Sequence, residues 1–183
     1  MTARHWNIDT AHSGIHFTVR HMVFSRVRGS FGRWRGVVDW SPEEPAGAKV
    51  SVRIDAASVD TREPKRDEHL RSADFLDVER HPDIAFDSTE VVKLAGERYR
   101  VIGDLTIAGT ARRVELDAEY LGRGVDPWGN QRIGFHARAT IRRVDFGLTW
   151  NQVLETGGVL VGDAIEIAID VQAIAAQAVE KVA

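Results

Sequence analysis

Apolar and polar residues alternate one by one through eight separate segments of this chain, and a period of two is the spacing of a β-strand with one buried face. In the first segment, about Ser13 to Val19, Ile15, Phe17 and Val19 share one face, and His16 and Thr18, with Arg20 beyond, the other. The second, Val27 to Trp40, begins with apolar residues at odd positions (Val27, Phe31) and moves to even ones (Trp34, Val38, Trp40), which predicts a β-bulge near Gly32 or Arg33. The others run from Lys49 to Asp55, Asp83 to Val92, Arg98 to Ile107, Arg112 to Leu121, Arg132 to Arg142 and Ala164 to Ile174. Ala108-Gly109-Thr110 is a hairpin-turn signal. Three longer connections, near residues 20 to 26, 56 to 82 and 143 to 163, leave room for short helices. In the middle one, Pro64 at a first-turn position before Lys65-Arg66-Asp67-Glu68-His69-Leu70 predicts about two helical turns.

An even set of alternating strands with mostly short connections predicts an all-β fold, an eight-stranded antiparallel barrel with short helices in its loops, because closing the sheet removes its unpaired edges. The 183 residues fit one domain, residues 1–175, followed by a tail, 176–183, that favours helix by propensity but is too short to hold one alone. A barrel of this size is either filled by side chains or holds one ligand. Gly36, Gly103, Ala118, Ala137, Ala139 and Ala173 fall on the inward parity beside the larger Phe17, Phe31, Trp34, Phe86, Tyr99, Tyr120 and Phe135. Parity alone leaves a cavity and a solid interdigitated core equally open.

Several function classes are disfavoured. With 43% hydrophobic and 28% charged residues the chain can build a core, yet it has no run approaching the roughly 20 apolar residues of a membrane-spanning helix. A net charge of -3 gives no bulk attraction to nucleic acid. There is no cysteine, which excludes disulfides and thiolate chemistry. The first residues lack a charged stub followed by an apolar run, so a cytoplasmic location is expected, although a chain trimmed of an export signal would look the same.

Asp9, His12, Ser13, His16 and His21 together offer a nucleophile, bases and a carboxylate, but strand geometry puts His12 and His16 on the face opposite Ser13. No histidine pair has the spacing of a metal site on a strand or convincing helix, so no metal and no cofactor is expected. Arg20, Arg26, Arg28, Arg33 and Arg35 cluster early, and those near a barrel mouth could meet a diphosphate head group, while most suit a solvated outer face. A barrel-fold enzyme, acting on a lipid or using a histidine-bound metal, stands as the alternative to a binding protein.

The order and number of several short motifs are more specific than any one of them. These are Trp6-x-Ile8-Asp9-x-x-His12-Ser13-x-Ile15-x-Phe17-x-Val19-x-His21; Val27-Arg28-Gly29-x-Phe31; Arg66-Asp67-x-His69-Leu70-x-x-x-Asp74-Phe75-Leu76-Asp77; Pro82-x-Ile84-x-Phe86-x-Ser88; Gly103-x-Leu105-Thr106-Ile107-x-Gly109; Arg143-x-Asp145-Phe146-Gly147; and Gly162-Asp163-x-Ile165-x-Ile167. Together they resemble the YceI-like family of lipocalin-like, lipid-binding bacterial proteins. The resemblance implies a barrel whose interior takes up a polyprenyl diphosphate, a polyprenol or a quinone tail, with no catalytic residue. On parity and resemblance together, Phe17, Val19, Phe31, Phe86, Phe135 and Ile167 are the expected lining, with Phe146 and Trp150 in a connection over the opening. Asp67, His69 and Asp145 are expected to fasten loops rather than to react. Family members often pair, so a homodimer is possible. Many relatives are exported, and a periplasmic role does not carry over to a chain without a visible export signal.

Overall fold

In the computed structural model, which describes residues 5–155 and 157–176, eleven β-segments form one antiparallel sheet. They are β1 (His5–Ile8), β2 (Gly14–His21), β3 (Ser25–Phe31), β4 (Trp34–Asp39), β5 (Lys49–Asp55), β6 (Val59–Asp60), β7 (Asp83–Lys93), β8 (Arg98–Ile107), β9 (Thr110–Val125), β10 (Gln131–Arg142) and β11 (Val161–Ala175). A single α-helix, α1 (Pro64–Arg71), is present among the described residues. β1 and β2 are halves of one strand, separated by a 3-10 turn at Thr10–His12 that Asp9 caps through the Ala11 amide. β3 and β4 are likewise one strand, broken where the Gly32 amide donates to the Ser58 carbonyl (3.1 Å) and the Arg33 amide to Ser58 Oγ (3.0 Å). With these halves joined and the two-residue β6 outside the ring, eight strands close on themselves. β11 meets β1 with Ile8 opposite Ala173, and β2 with Phe17 opposite Ile167.

The break at Gly32–Arg33 is the expected bulge, and it keeps both parities inward: Val27 and Phe31 before it and Trp34 and Val38 after it all border the interior. The Ala108-Gly109 turn has left-handed backbone at both residues (φ 47 and 76), the form that matches strand twist in a two-residue hairpin. Two expectations need correction. The β2–β3 connection carries no helix: the strands run to His21 and from Ser25, and Met22 and Val23 make the turn with positive φ. β1 is a further strand segment, too short, with only Trp6 and Ile8 apolar, to show a period. The helix-prone tail beyond Ala176 lies outside the described residues.

Packing concentrates at the two ends of the barrel. One cluster gathers Trp6, Val38, Trp40, Val91, Tyr99, Ile133 and Ala173; the other gathers Ile15, Ile54, Val59, Ile84, Ile107, Ile141, Phe146 and Leu148. Packed against the second cluster, Phe17, Phe31, Val52, Ile165 and Ile167 face inward yet remain only partly buried. Inward side chains keep accessible surface only where the interior is not filled. The small inward residues serve two ends. A Cβ on Gly103 would sit 2.7 Å from Phe86 Cζ and one on Gly36 2.7 Å from Ile8 Cδ1, so these glycines make room for neighbouring side chains, whereas Ala137 and Ala139 border open space. Gly103→Ala should therefore lower the urea midpoint by the equivalent of about 1–3 kcal/mol with an unchanged slope, the cost of overpacking.

At the first end a polar clasp ties three elements together. Arg132 on β10 donates to Asp9 (2.7 Å), to Gln172 on β11 (2.7 Å) and to Asp126 in the β9–β10 turn (2.8 Å). The Arg132 hydrogen bond holds the Asp9 carboxyl below its ordinary pKa against the effect of burial, and His12 adds to it. Burial alone would raise Asp126, but hydrogen bonds from Asn130, Arg132 and the Asn130 and Trp128 amides bring it well below the usual range. A carboxylate lowered on folding stabilises the fold above its unfolded pKa of about 3.9 and loses that contribution as pH falls through the folded value. With the clasp intact, thermal midpoints should thus be insensitive to pH near neutrality and fall below about pH 4. Arg132→Gln should lower the plateau and flatten the acid limb.

Candidate ligand-binding cavity

The space between the two packed ends is a cavity of about 530 Å³ bordered by all eight ring strands. Its floor is closed. There Trp40, Tyr120 and Phe135 form an aromatic stopper, with Trp40 4.6 Å from Tyr120 and 5.2 Å, edge-on, from Phe135. Trp6 lies buried beside it and donates its indole N–H to the Trp40 carbonyl (2.9 Å). Among the described residues, Trp40 Nε1 is the buried side-chain nitrogen or oxygen left without a hydrogen-bond partner. Most of the polar lining residues, Arg20, His21, Lys65, Arg66 and His69, lie at the opposite end, which is the mouth, while His16 on β2 borders the wall.

Three elements frame that mouth: the β2–β3 turn, α1 and the connection after β10. Pro64 starts α1, and the Glu63 carboxylate caps it by accepting from the Lys65 and Arg66 amides. The helix is then pinned from both flanks. Buried Asp67 accepts from the Thr61 amide (2.9 Å) and hydroxyl (2.6 Å), and Arg71 donates to the Ala57 and Val59 carbonyls. This turns Leu70, Phe75 and Leu76 onto the end of the barrel. His69 bonds Asp74 (2.8 Å) and lies edge-on to Trp150, 4.6 Å between ring centres.

The connection after β10 is organised by one buried cation. Arg143, 3% exposed, donates to the carbonyls of Gly162 (2.9 Å), Leu148 (2.7 Å), Trp150 (2.8 Å) and Val161 (3.2 Å), and its guanidinium lies 3.4 Å from Asp163. Burial lowers its pKa, and Asp163 offsets part of that. A planar fork with five N–H donors is the side chain that can satisfy several loop carbonyls at once. Arg143 stands in a motif of the sequence, yet its partners are backbone carbonyls in a segment without periodicity, so nothing in the sequence signals its role.

Phe17, Val19, Phe31, Phe86, Phe135, Phe146, Trp150 and Ile167 all border the cavity. Their positions differ: Phe135 belongs to the stopper, Phe17 and Phe31 face each other at 5.7 Å in the wall, and Trp150 stands at the mouth beside His69 and Phe75. Phe146, only 2% exposed, is packed into the end of the barrel rather than laid over the opening. Lys65, His69, Phe75 and Leu160 join this lining without having been marked by parity, because they come from the helix and irregular segments.

The residues that could have formed a catalytic set are apart. Ser13 Oγ donates to the Gln172 carbonyl and accepts from its amide (2.9 Å), while His12 is bound to Asp9 (2.8 Å). His5 is held by Asp39, His136 by Asp170, and His81 lies against Gly109. Among the described residues no three His, Asp or Glu side chains are grouped as metal ligands would be. No helix among them is long and apolar enough to cross a membrane.

A closed eight-stranded antiparallel barrel with an apolar interior and one mouth is a lipocalin-like, ligand-enclosing architecture. The YceI-like domain family matches residues 6–173, and the chain belongs to that family. A UPF0312 protein of Pectobacterium carotovorum is 46% identical over 138 residues, 75% of this chain and 71% of that protein. The solved YceI protein of Campylobacter jejuni is 32% identical, with a TM-score of 0.75 over 86% of this chain and 90% of that one. A polyisoprenoid binding domain from Saccharophagus degradans, at 15% identity, shares the fold with a TM-score of 0.67 over 96% of this chain and all of that domain.

Replacing Arg143 with Met keeps the volume but leaves several carbonyls unpaired. It should cost about 2–4 kcal/mol in urea unfolding and expose residues 147–160 to limited proteolysis; Lys, lacking the fork, should not restore either.

Proposed function

We propose that the protein binds one isoprenoid-type lipid, a polyprenyl diphosphate, polyprenol or quinone tail, inside the barrel and carries, stores or sequesters it without reacting with it. The observation that carries this reading is the cavity: its wall is lined almost wholly by apolar side chains, and its charged and polar groups gather mainly at the mouth. Membership of the YceI-like family and the polyisoprenoid binding named for the Saccharophagus domain support the ligand class. A volume of about 530 Å³ falls within the range of sites that enclose a small molecule.

In this reading the tail enters first and lies along Phe17, Val19, Phe31, Phe86 and Ile167, with its far end against Phe135 and the stopper. Burial supplies the affinity, about 25 cal/mol for each Å² of apolar surface removed from water, less the cost of ordering a flexible chain. A polar head stays at the mouth near His21, Lys65 and His69. Lys65 is exposed there, so a charged head need not be desolvated.

Native mass spectrometry of gently purified protein, followed by extraction, should reveal a bound amphiphile. With delipidated protein, affinity for prenols of increasing length should rise by roughly tenfold or more per isoprene unit and then level off as the tail fills the cavity. Ala139→Trp, which fills the wall from β10, should move that plateau to shorter tails. Protein that takes up no prenol, or binds all lengths alike, would defeat the proposal.

A further inference from the structure

Eight large apolar side chains are exposed among the described residues, and five of them, Met22, Val23, Phe24, Val153 and Val159, stand on two adjoining hairpins at the rim of the mouth. The first is the β2–β3 turn. Met22 (φ 52) and Val23 (φ 66) take a left-handed backbone that glycine or asparagine normally occupies, and a β-branched residue there is unusual. The second comprises residues 152–155 and 157–160, with Val153 paired to Val159 and the Leu160 amide donating to the Gln152 carbonyl. The hairpins touch: the Met22 amide donates to the Leu160 carbonyl at 2.9 Å, and Val23 lies beside Gly158. Phe24 is 85% exposed and Val153 84%, so neither tip is folded back onto the barrel.

Directly behind the first tip, Arg20 stands opposite Arg26, and Arg28 two pairs further along, opposite Thr18. Like charges facing each other across a strand pair are unfavourable. All three are exposed, and among the described residues none has a carboxylate partner. The nearby acids Asp163 and Asp74 are taken up by Arg143 and His69, leaving Glu155 on the second tip and Glu166 on β11, beside Thr18 and, among the described residues, not paired with an arginine. Apolar tips backed by unpaired guanidinium groups match an anionic lipid surface, where the tips enter the boundary between head groups and acyl chains and the arginines meet phosphate. A second copy of the chain on the same patch would set these arginines against each other across a two-fold axis.

We propose that the mouth end docks on an anionic phospholipid bilayer, with Met22–Phe24, Val153 and Val159 inserted and Arg20 and Arg26 on lipid phosphates. The cavity opens between the same elements, at His21, Lys65, Trp150 and Leu160, so an apolar tail would pass between bilayer and barrel without crossing water. That purpose rests on the lipid-binding reading; the docking itself does not.

The full chain is sedimented with phosphatidylcholine vesicles, with and without phosphatidylglycerol. Binding is expected to require phosphatidylglycerol, to fall about fivefold for Arg26→Gln and roughly tenfold or more for Phe24→Ser. Trp128→Ser, which removes an exposed aromatic at the other end of the barrel, should bind like the unaltered protein. Phe24→Ser should also take up a fluorescent prenol from detergent with unchanged affinity. Vesicle binding intact while no protein takes up the prenol would remove the lipid-binding reading and leave the docking standing. The docking is overturned if the unaltered protein stays in the supernatant with phosphatidylglycerol vesicles, if Phe24→Ser binds as it does, or if Phe24→Ser merely converts a dimer to a monomer without vesicles.

Discussion

Closure of the sheet by β11 is the constraint on which the rest of the molecule depends. This last strand must satisfy β10 along one edge and, along the other, first β2 and then β1, two segments interrupted by a 3-10 turn. The interruption is accommodated because Asp9, Ser13 and Gln172 supply the hydrogen bonds that the ladder loses there, with Arg132 drawing Asp9 and Gln172 to β10. Once the ring is closed, alternate residues of every strand must point inward, and the interior becomes apolar without any further instruction. What varies is only whether neighbouring side chains meet across it.

They meet at the floor and not in the middle. The stopper puts bulky rings where Ala118 and Ala173 leave room, and higher up the walls are lined by Val, Ile and Phe, with Phe17 and Phe31 meeting on adjacent strands, around open space. The other end, the mouth, is framed by a helix and loops that polar staples hold in place. Asp67 and Arg71 hold α1, and Arg143 holds the long connection by its carbonyls. Ionic and polar groups placed at a rim set loop positions while leaving the apolar interior untouched, and a mismatch there is costly because the acceptors are already buried.

The strands were legible because each carries its own record of which face is inward, and the shift of parity between Phe31 and Trp34 marked the break between β3 and β4. The mouth was not. Met22 and Val23 adopt backbone angles that their side chains disfavour, so local propensity points away from the turn they form. The cavity itself was undecided, since parity cannot tell whether the space beside an inward glycine is used by Phe86, as at Gly103, or left open, as beside Ala139. Phe146 and Trp150 share a segment and were read as a pair, yet one is packed into the core and the other stands at the opening.

The aromatic stopper has a kinetic meaning. A tube blind at one end has no through-flow, so whatever occupies it must leave by reversing the path of entry, and the part that entered last is always the part on display. Occupancy is then governed by events at a single doorway rather than by a gradient along the tube. The order of arrival is also preserved: nothing can follow until the first occupant has backed out.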